Sequence, residues 1–269
     1  MTLRSLFRLT DHRKKTAIDY LLPANRTLLD LYQDYQRIRE NQTGRIEHYR
    51  DIIETDIPRT FPTSHFVDAH KKEIKEVLYA FVQYSPVGYL QGQNFLCVAS
   101  VYFFQGHTNY LSFQLFNSLF DNLKHVFGNI IDATLFEKGH IFDESTEEVV
   151  TIFLSFYKKK HKTVTTVSQT SILVLKNLIQ WRVIGTLMLS CLKDLHASTH
   201  LVNFFLPCLY DRVLFCKKTR AMALAFLFCC FLEKPLTEEV ILIVQSGSLT
   251  EQGLIEILQT SKNTERLFK

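Results

Sequence analysis

The sequence contains little glycine and proline, with nine glycines and six prolines among 269 residues. These two residue types form most tight turns, so their scarcity argues against the many hairpins of an all-β fold. Long stretches without either residue favour helices instead. We therefore expect an all-α protein, and a hydrophobic content of 46% is sufficient for a substantial core.

The chain also has little net charge. Its 31 basic and 27 acidic residues leave a formal charge of +4 at pH 7, which argues against nucleic acid as a partner. The basic residues concentrate in residues 1–50 and in a short run at residues 158–162. We interpret both as solvated surface, and contact with acidic lipid or an acidic partner is the alternative.

No apolar run is long enough to cross a bilayer. The longest, residues 221–232, has about half of the roughly 20 residues that a span needs. Arg220 and Glu233 flank it, so we predict a helix buried on all sides. Arginines interrupt the first residues before an apolar signal segment could form, so we expect a cytoplasmic protein.

None of the six cysteines lies in a C-x-x-C frame, the common spacing of zinc ligands. Most have apolar neighbours, which predicts reduced and buried thiols. His196 and His200 lie four residues apart, but the glutamate of a zinc hydrolase motif is absent between them. We therefore expect neither a metal site nor a cofactor of the chain's own.

Hydrophobic periodicity predicts about ten helices. The clearest covers residues 65–84, where Ile74, Val77, Leu78, Phe81 and Val82 repeat at helical spacing. Continuous apolar sequence predicts the next helix over residues 89–105. Further helices are predicted over residues 25–50 with an interruption at Gly44, and over 111–126, 147–159, 171–192, 199–215, 219–232, 238–245 and from 248–251 to about 260.

Two short segments carry side chains suited to phosphoryl transfer. Residues 53–62 place Arg59 in an Ile-x-x-Asp-x-x-Arg frame, and residues 88–95 place Gln91 in a Tyr-x-Gln-Gly frame. An arginine neutralises charge on a transferring phosphoryl group, and a glutamine orients the attacking water. Side chains of these two types are therefore suited to assisting phosphoryl transfer.

The residues around Arg59 restrict its backbone. Pro58 precedes it and Pro62 follows shortly after, and each proline fixes its own φ and limits the residue before it. Asp56 lies three residues earlier, close enough to pair with Arg59 or to bond nearby backbone N–H groups. We expect Asp56 to be a supporting carboxylate rather than a general base.

The residues around Gln91 suggest that its side chain is exposed. Pro86 and Gly88 form a turn before it, and we expect Gln91 on the first turn of the helix over residues 89–105. Its amide can both accept and donate a hydrogen bond. Tyr89 is expected to hold the glutamine loop, and Gly92 leaves room for a partner backbone.

Together, and in this order, the two segments resemble the signature motifs of the TBC domain, the family that activates Rab-type small GTPases. The resemblance implies a Rab GTPase-activating protein that acts in trans with two fingers. Arg59 would stabilise charge in the transition state and Gln91 would orient the attacking water. The matching positions, supporting ones included, are Ile53, Asp56, Arg59, Thr60, Pro62, Tyr89, Gln91 and Gly92.

The resemblance is dense over residues 49–104 and thinner afterwards. Downstream, Trp181 and residues 206–211 and 221–225 resemble family positions, although Tyr210 stands where tryptophan is usual. The family's fold is all-helical and V-shaped, in two lobes. On this basis we expect a basic lead-in over residues 1–25 and one TBC domain over 26–269, with a catalytic lobe to about 125 and a second lobe over 126–269.

The partner that the resemblance implies is a Rab-type GTPase in its GTP form, which would carry GTP and Mg²⁺. This chain has no Gly-x-x-x-x-Gly-Lys loop of its own. Peripheral association with the cytosolic face of membranes would follow through the partner, in vesicle trafficking. The alternative is a catalytically silent TBC-fold scaffold. A helical-repeat adaptor is disfavoured because no repeat period is present.

Overall fold

The computed structural model describes residues 12–22, 25–41, 44–127, 143–162, 167–245 and 249–268. Thirteen α-helices contain most of these described residues, which form no β-strand and only one isolated parallel bridge, between Leu192 and Leu249. The expected all-α class is confirmed. None of the described helices combines the length and the apolar character needed to cross a bilayer.

Seven of the described helices precede residue 127. A 3-10 turn, Ile57–Arg59, continues directly from the third of them. The helices are α1 (His12–Leu21), α2 (Leu28–Glu40), α3 (Arg45–Asp56), α4 (His65–Ala69), α5 (Lys71–Tyr84), α6 (Gln93–Phe103) and α7 (Asn109–Val126).

Six helices follow residue 143. They are α8 (Glu144–Lys160), α9 (Gln169–Asn177), α10 (Ser198–Phe205), α11 (Arg212–Phe231), α12 (Glu238–Gln245) and α13 (Glu251–Thr264). A π-helical segment, Leu178–Ile184, continues directly from α9.

The described residues divide into two compact units. One unit draws on residues 1–121 and 202–210, and the other on residues 122–201 and 211–269. The first unit contains both segments that the sequence singled out. The expected lead-in and lobe boundaries stay predictions.

The core of the first unit forms around α5 and α6. The predicted apolar stripe of α5 is confirmed, because each of its five residues is completely buried. Lys71 and Lys72 on the opposite face are exposed. Phe81 packs on Phe116 of α7 with ring centroids 4.5 Å apart. Because α6 is buried along most of its length, it gives the glutamine segment before it a fixed base.

The core of the second unit forms around α11. The predicted burial of residues 221–232 is confirmed for residues 221–227, but it was wrong for residues 228–230, of which Cys229 is exposed. Tyr157 of α8 is also buried, and its hydroxyl donates to the carbonyl of Lys234 and accepts from the N–H of Leu236. This pair of bonds ties the turn after α11 to α8.

Two predicted helices in this region have different boundaries. We expected helices over residues 199–215 and 219–232, but the chain breaks at a 3-10 turn, Leu206–Cys208, and α11 then runs without interruption from Arg212. Pro207 has no N–H to continue α10. Asp211 starts α11 because its carboxylate accepts the Leu214 N–H at 2.9 Å.

The predicted helix over residues 171–192 ends early as well. Its helical part stops at Ile184, where Gly185 follows, and Leu187 and Met188 adopt left-handed φ values of 48° and 64°. A left-handed residue cannot continue a right-handed helix. The predicted helix over residues 65–84 is likewise divided at His70, between α4 and α5.

The cysteine prediction was wrong in part. Cys97, Cys191 and Cys208 are buried, but Cys216 and Cys230 are half-buried and Cys229 is exposed. The last two lie where α11 leaves the fully buried stretch of residues 221–227. Apolar neighbours in sequence therefore overstated the burial of these thiols, because one side of this helical turn faces out of the core.

Candidate functional site

The arginine turn, residues 57–62, begins where α3 ends. Pro58 occupies an early position of the 3-10 turn, where its missing N–H costs no hydrogen bond. Thr60 then becomes extended, and its N–H donates to the carbonyl of Ile57 at 3.0 Å. Arg59 itself is exposed, and within the described part of the chain its guanidinium has no ion-pair or hydrogen-bond partner. The turn thus presents a free cation.

Phe61 fixes the far side of the arginine turn. Its φ is +51°, a left-handed value that a non-glycine residue adopts only at a cost. The side chain is buried and packs edge to face on Phe95 of α6, with ring centroids 5.5 Å apart. Aromatic burial therefore offsets the backbone strain and holds the turn against α6.

The glutamine turn, residues 85–92, relies on glycine. Gly88 and Gly92 have φ values of +74° and +102°, which glycine adopts without steric cost. Gln91 lies between them, exposed, in a turn that precedes α6. Our placement of Gln91 on the first turn of a helix was wrong, because Gly92 is left-handed and α6 begins only at Gln93.

Side chains of α6 satisfy the backbone on both sides of Gln91. The N–H of Leu90 donates to Oε1 of Gln93, and the N–H of Gly92 donates to Oδ1 of Asn94, each at 3.0 Å. Both amide side chains are buried. Such local side-chain bonds stabilise a turn that lacks a regular backbone ladder.

The helix α3 supports the glutamine turn from the other side. Arg45 donates to the carbonyl of Pro86 at 2.9 Å. Tyr49 lies against Gly88, where a Cβ would approach the tyrosine hydroxyl oxygen to 2.4 Å. Two features therefore favour glycine at position 88: its left-handed φ and the close approach of the Tyr49 ring.

Asp56 and Tyr89 join the two turns in the interior. The Tyr89 hydroxyl donates to Oδ2 of Asp56 at 2.8 Å, and both residues are buried. Burial, together with the neighbouring Asp56 carboxylate, raises the pKa of Tyr89 well above its usual range, so the phenol stays protonated as the donor. We had expected Asp56 to pair with Arg59 or with backbone N–H groups, and its carboxylate bonds Tyr89 instead.

A second connection runs through Thr60 and Asn94. Nδ2 of Asn94 donates to Oγ1 of Thr60 at 2.6 Å, and Oγ1 in turn donates to the carbonyl of Asp56 at 2.8 Å. Both side chains are buried. Asn94 lies within the second segment, residues 88–95, but we predicted no role for it. An amide just after a Gln-Gly turn was the available signal, although nothing local indicates a partner 34 residues away.

The remaining expected site residues divide between core and surface. Ile53 is completely buried and Pro62 is exposed. Downstream, Asp211 caps α11 and Trp181 stacks on Phe127 with ring centroids 6.4 Å apart. Among the residues that the structure describes, no group of three or more His, Cys, Asp or Glu side chains is arranged to hold a metal ion.

Chemically, the site consists of a cation and an amide, both exposed and without a partner among the described residues, on two turns that share a buried polar network. A free guanidinium can donate two parallel hydrogen bonds to an anion, and an amide can position water. The family model of the Rab-GTPase-TBC domain matches residues 20–210, which include both turns. A search of curated proteins returned no match.

Proposed function

This chain belongs to the Rab-GTPase-TBC domain family, and we propose that it accelerates GTP hydrolysis on a Rab-type small GTPase by supplying Arg59 and Gln91 in trans. One observation carries the proposal. Both side chains are exposed, while the residues that support their turns are buried and hydrogen-bonded. A surface that holds two exposed polar side chains in place is suited to a GTPase whose own active site lacks such side chains.

Arg59 would stabilise the negative charge that develops during GTP hydrolysis. Charge spreads over the γ-phosphoryl oxygens and the leaving oxygen as the bond to the leaving group breaks, so an added guanidinium stabilises the transition state more than the ground state. Its planar fork matches phosphoryl oxygens. The 3-10 turn and Pro58 limit the conformations that Arg59 must give up on binding.

Gln91 would act on the nucleophile. Its carbonyl can accept from the attacking water and its amide can donate to a neighbouring oxygen, which fixes the water in line with the leaving group. The exposed turn between two left-handed glycines lets the side chain enter the partner's nucleotide site. GTP and Mg²⁺ belong to the GTPase in this proposal.

The GTP-bound form of the Rab protein is the proposed partner. Because Rab proteins of this kind reside on membranes, association with the cytosolic face would follow through that partner. Liposomes that carry an anchored, GTP-loaded Rab protein should retain the chain on flotation, and liposomes that carry the GDP-loaded form should not. Retention on bare liposomes would contradict recruitment through the partner.

The second candidate function is a TBC-fold scaffold that binds a GTPase without accelerating hydrolysis. It is favoured by the divergence of the sequence after residue 104, where Tyr210 replaces the usual tryptophan. The two functions differ in rate, not in binding. A hydrolysis measurement separates them directly.

The deciding experiment measures single-turnover GTP hydrolysis on a panel of Rab proteins. We expect Arg59→Ala to lose roughly 10³ to 10⁵ of the acceleration, or about 4 to 7 kcal/mol of barrier. Gln91→Ala should lose roughly 10²-fold. The matched controls are Arg37→Ala and Gln33→Ala on α2, both exposed, which should retain the wild-type rate.

Two results would reject the catalytic proposal. One is a wild-type protein that accelerates hydrolysis on none of the Rab proteins. The other is an Arg59→Ala variant as active as the wild type on a Rab protein that responds. Binding of the GTP form without any change in rate would establish the scaffold function.

A further inference from the structure

We infer that Asn94 is a positioning residue that ties the two finger turns together, so that Arg59 and Gln91 act as one unit. The inference rests on the proposed function. Asn94 bonds the residue that directly follows each finger: Nδ2 donates to Thr60, and Oδ1 accepts the N–H of Gly92. No other described side chain bonds the residues that follow both fingers.

An amide is the side chain that this position requires. The Asn94 site faces a backbone donor on one side and a hydroxyl acceptor on the other, and only asparagine and glutamine offer both an acceptor and a donor on one short planar group. The bonds measure 3.0 and 2.6 Å, and Asn94 is 4% exposed. Since water reaches this site poorly, loss of the amide leaves buried polar groups without partners.

The direction of each hydrogen bond is also determined. Thr60 has one hydroxyl proton, which it donates to the carbonyl of Asp56, so its oxygen accepts from Asn94. Asp56 in turn accepts from Tyr89 through its carboxylate. The chain of bonds therefore passes from the glutamine turn through Asn94 and Thr60 to the end of α3 and returns to the glutamine turn through Tyr89.

A shared support has a kinetic consequence. The reacting groups must lie within a fraction of an ångström of their productive positions, and a displacement of about 1 Å can cost 10²-fold in rate. Asn94 is buried and does not itself reach a partner surface. Its removal should therefore lower the maximal rate and leave the affinity for the GTPase unchanged.

The test uses Asn94→Ala, Thr60→Val and the double variant on a Rab protein that responds to the wild type. Each single change should lower the maximal single-turnover rate by about tenfold or more at an unchanged half-saturating concentration. The double variant should lose less than the product of the two single losses, because both changes remove the one bond that Asn94 and Thr60 share. Thr60→Ser keeps the hydroxyl and should restore most of the rate.

Ser100→Ala is the matched control for folding. Ser100 lies on the same helix, is completely buried, and its hydroxyl donates only to the Leu96 carbonyl. This variant should keep the wild-type maximal rate. Thermal unfolding and Rab binding are recorded for every variant, so that a loss of folded protein is separated from a loss of rate.

Three outcomes would overturn the inference. They are an Asn94→Ala variant within twofold of the wild-type maximal rate, a loss that appears in the half-saturating concentration alone, and losses that multiply in the double variant. Failure of the proposed function looks different, since the wild type itself would then accelerate no Rab protein.

Discussion

The arginine turn and the glutamine turn hold their exposed side chains by different physical means. The arginine turn uses an apolar contact: Phe61 accepts a left-handed φ of +51° and is buried against Phe95. The glutamine turn uses glycine at both left-handed positions and side-chain amides for its backbone N–H groups. Apart from the Thr60–Asn94 bond that the two turns share, one turn depends on packing and the other on backbone freedom and polar bonds.

This difference shows how a helical protein can present two rigid turns beside each other. Only one side of each turn is free, because the other side must hold the turn in place. Close packing fixes the position of a side chain by filling the space around it. A polar substitution in such a space is poorly tolerated. Hydrogen bonds fix a direction. We therefore expect the arginine turn to fail on loss of volume and the glutamine turn to fail on an added Cβ or a lost hydroxyl.

The largest stability effect should follow from Phe61→Ala. Loss of the buried ring should lower the free energy of unfolding by about 3 to 5 kcal/mol, as measured by urea denaturation. Phe61→Gly should be no worse than Phe61→Ala, because glycine removes the strain at this φ. The matched control is Phe156→Ala, whose ring is 40% exposed. A loss at Phe61 no larger than at Phe156 would contradict packing as the support of this turn.

A smaller effect is expected from Gly88→Ala in the glutamine turn. The left-handed φ costs an alanine about 1 to 2 kcal/mol, and the clash with Tyr49 adds about 1 to 3 kcal/mol. Gly106→Ala separates the two causes, since Gly106 has a φ of +77° and nothing within 4 Å of the added Cβ. Thermal or urea unfolding should give Gly88→Ala the larger loss. Equal losses would show that Tyr49 moves aside.

The link between the turns should be weaker than either turn's own support. Tyr89→Phe keeps the ring and removes the donor to the buried Asp56 carboxylate, which should cost about 1.5 to 3 kcal/mol of unfolding free energy. Tyr79→Phe is the comparison, because its hydroxyl makes a longer contact of 3.4 Å with exposed Glu54. A larger loss of unfolding free energy for Tyr79→Phe than for Tyr89→Phe would contradict the Tyr89–Asp56 bond as a stabilising link between the turns.

A further effect should be seen at alkaline pH. Since burial raises the pKa of Tyr89, the folded protein keeps this proton above about pH 10, whereas the unfolded chain releases it. The folded state then binds one proton more, so the free energy of unfolding falls as pH rises, by about 1.4 kcal/mol per pH unit. Tyr89→Phe lacks this contribution, and its stability should fall less steeply between pH 10 and 12. Parallel slopes would contradict a buried phenol.

Regular features of the fold could be predicted from local sequence. The stripe of α5 and the buried run of α11 were predicted because a side chain's neighbours in a helix lie three and four residues away. The end of α10 could have been predicted from Pro207, but we placed the break at residues 216–218. The early end of the helix at Ile184 had only Gly185 as a signal.

The exposure of Arg59 and Gln91 could be predicted from the sequence, whereas the hydrogen-bond partners of the buried supporting residues could not. The spacing around Arg59 and Gln91 identified both side chains, and the roles assigned to them remain proposals. The bonds of Asn94 to Thr60 and of Tyr89 to Asp56 join residues more than thirty positions apart. No local pattern specifies such pairs, because they depend on how α3 and α6 each pack against α5 in three dimensions.

One measurement tests the central claim most directly: the affinity of the chain for a responsive Rab protein in two nucleotide states. The GDP and aluminium fluoride state imitates the transition state of phosphoryl transfer, and a nonhydrolysable GTP analogue imitates the ground state. We predict that the wild type binds the first at least about 10²-fold more tightly, and that Arg59→Ala abolishes the difference. Equal affinities of the wild type for both states would contradict the account.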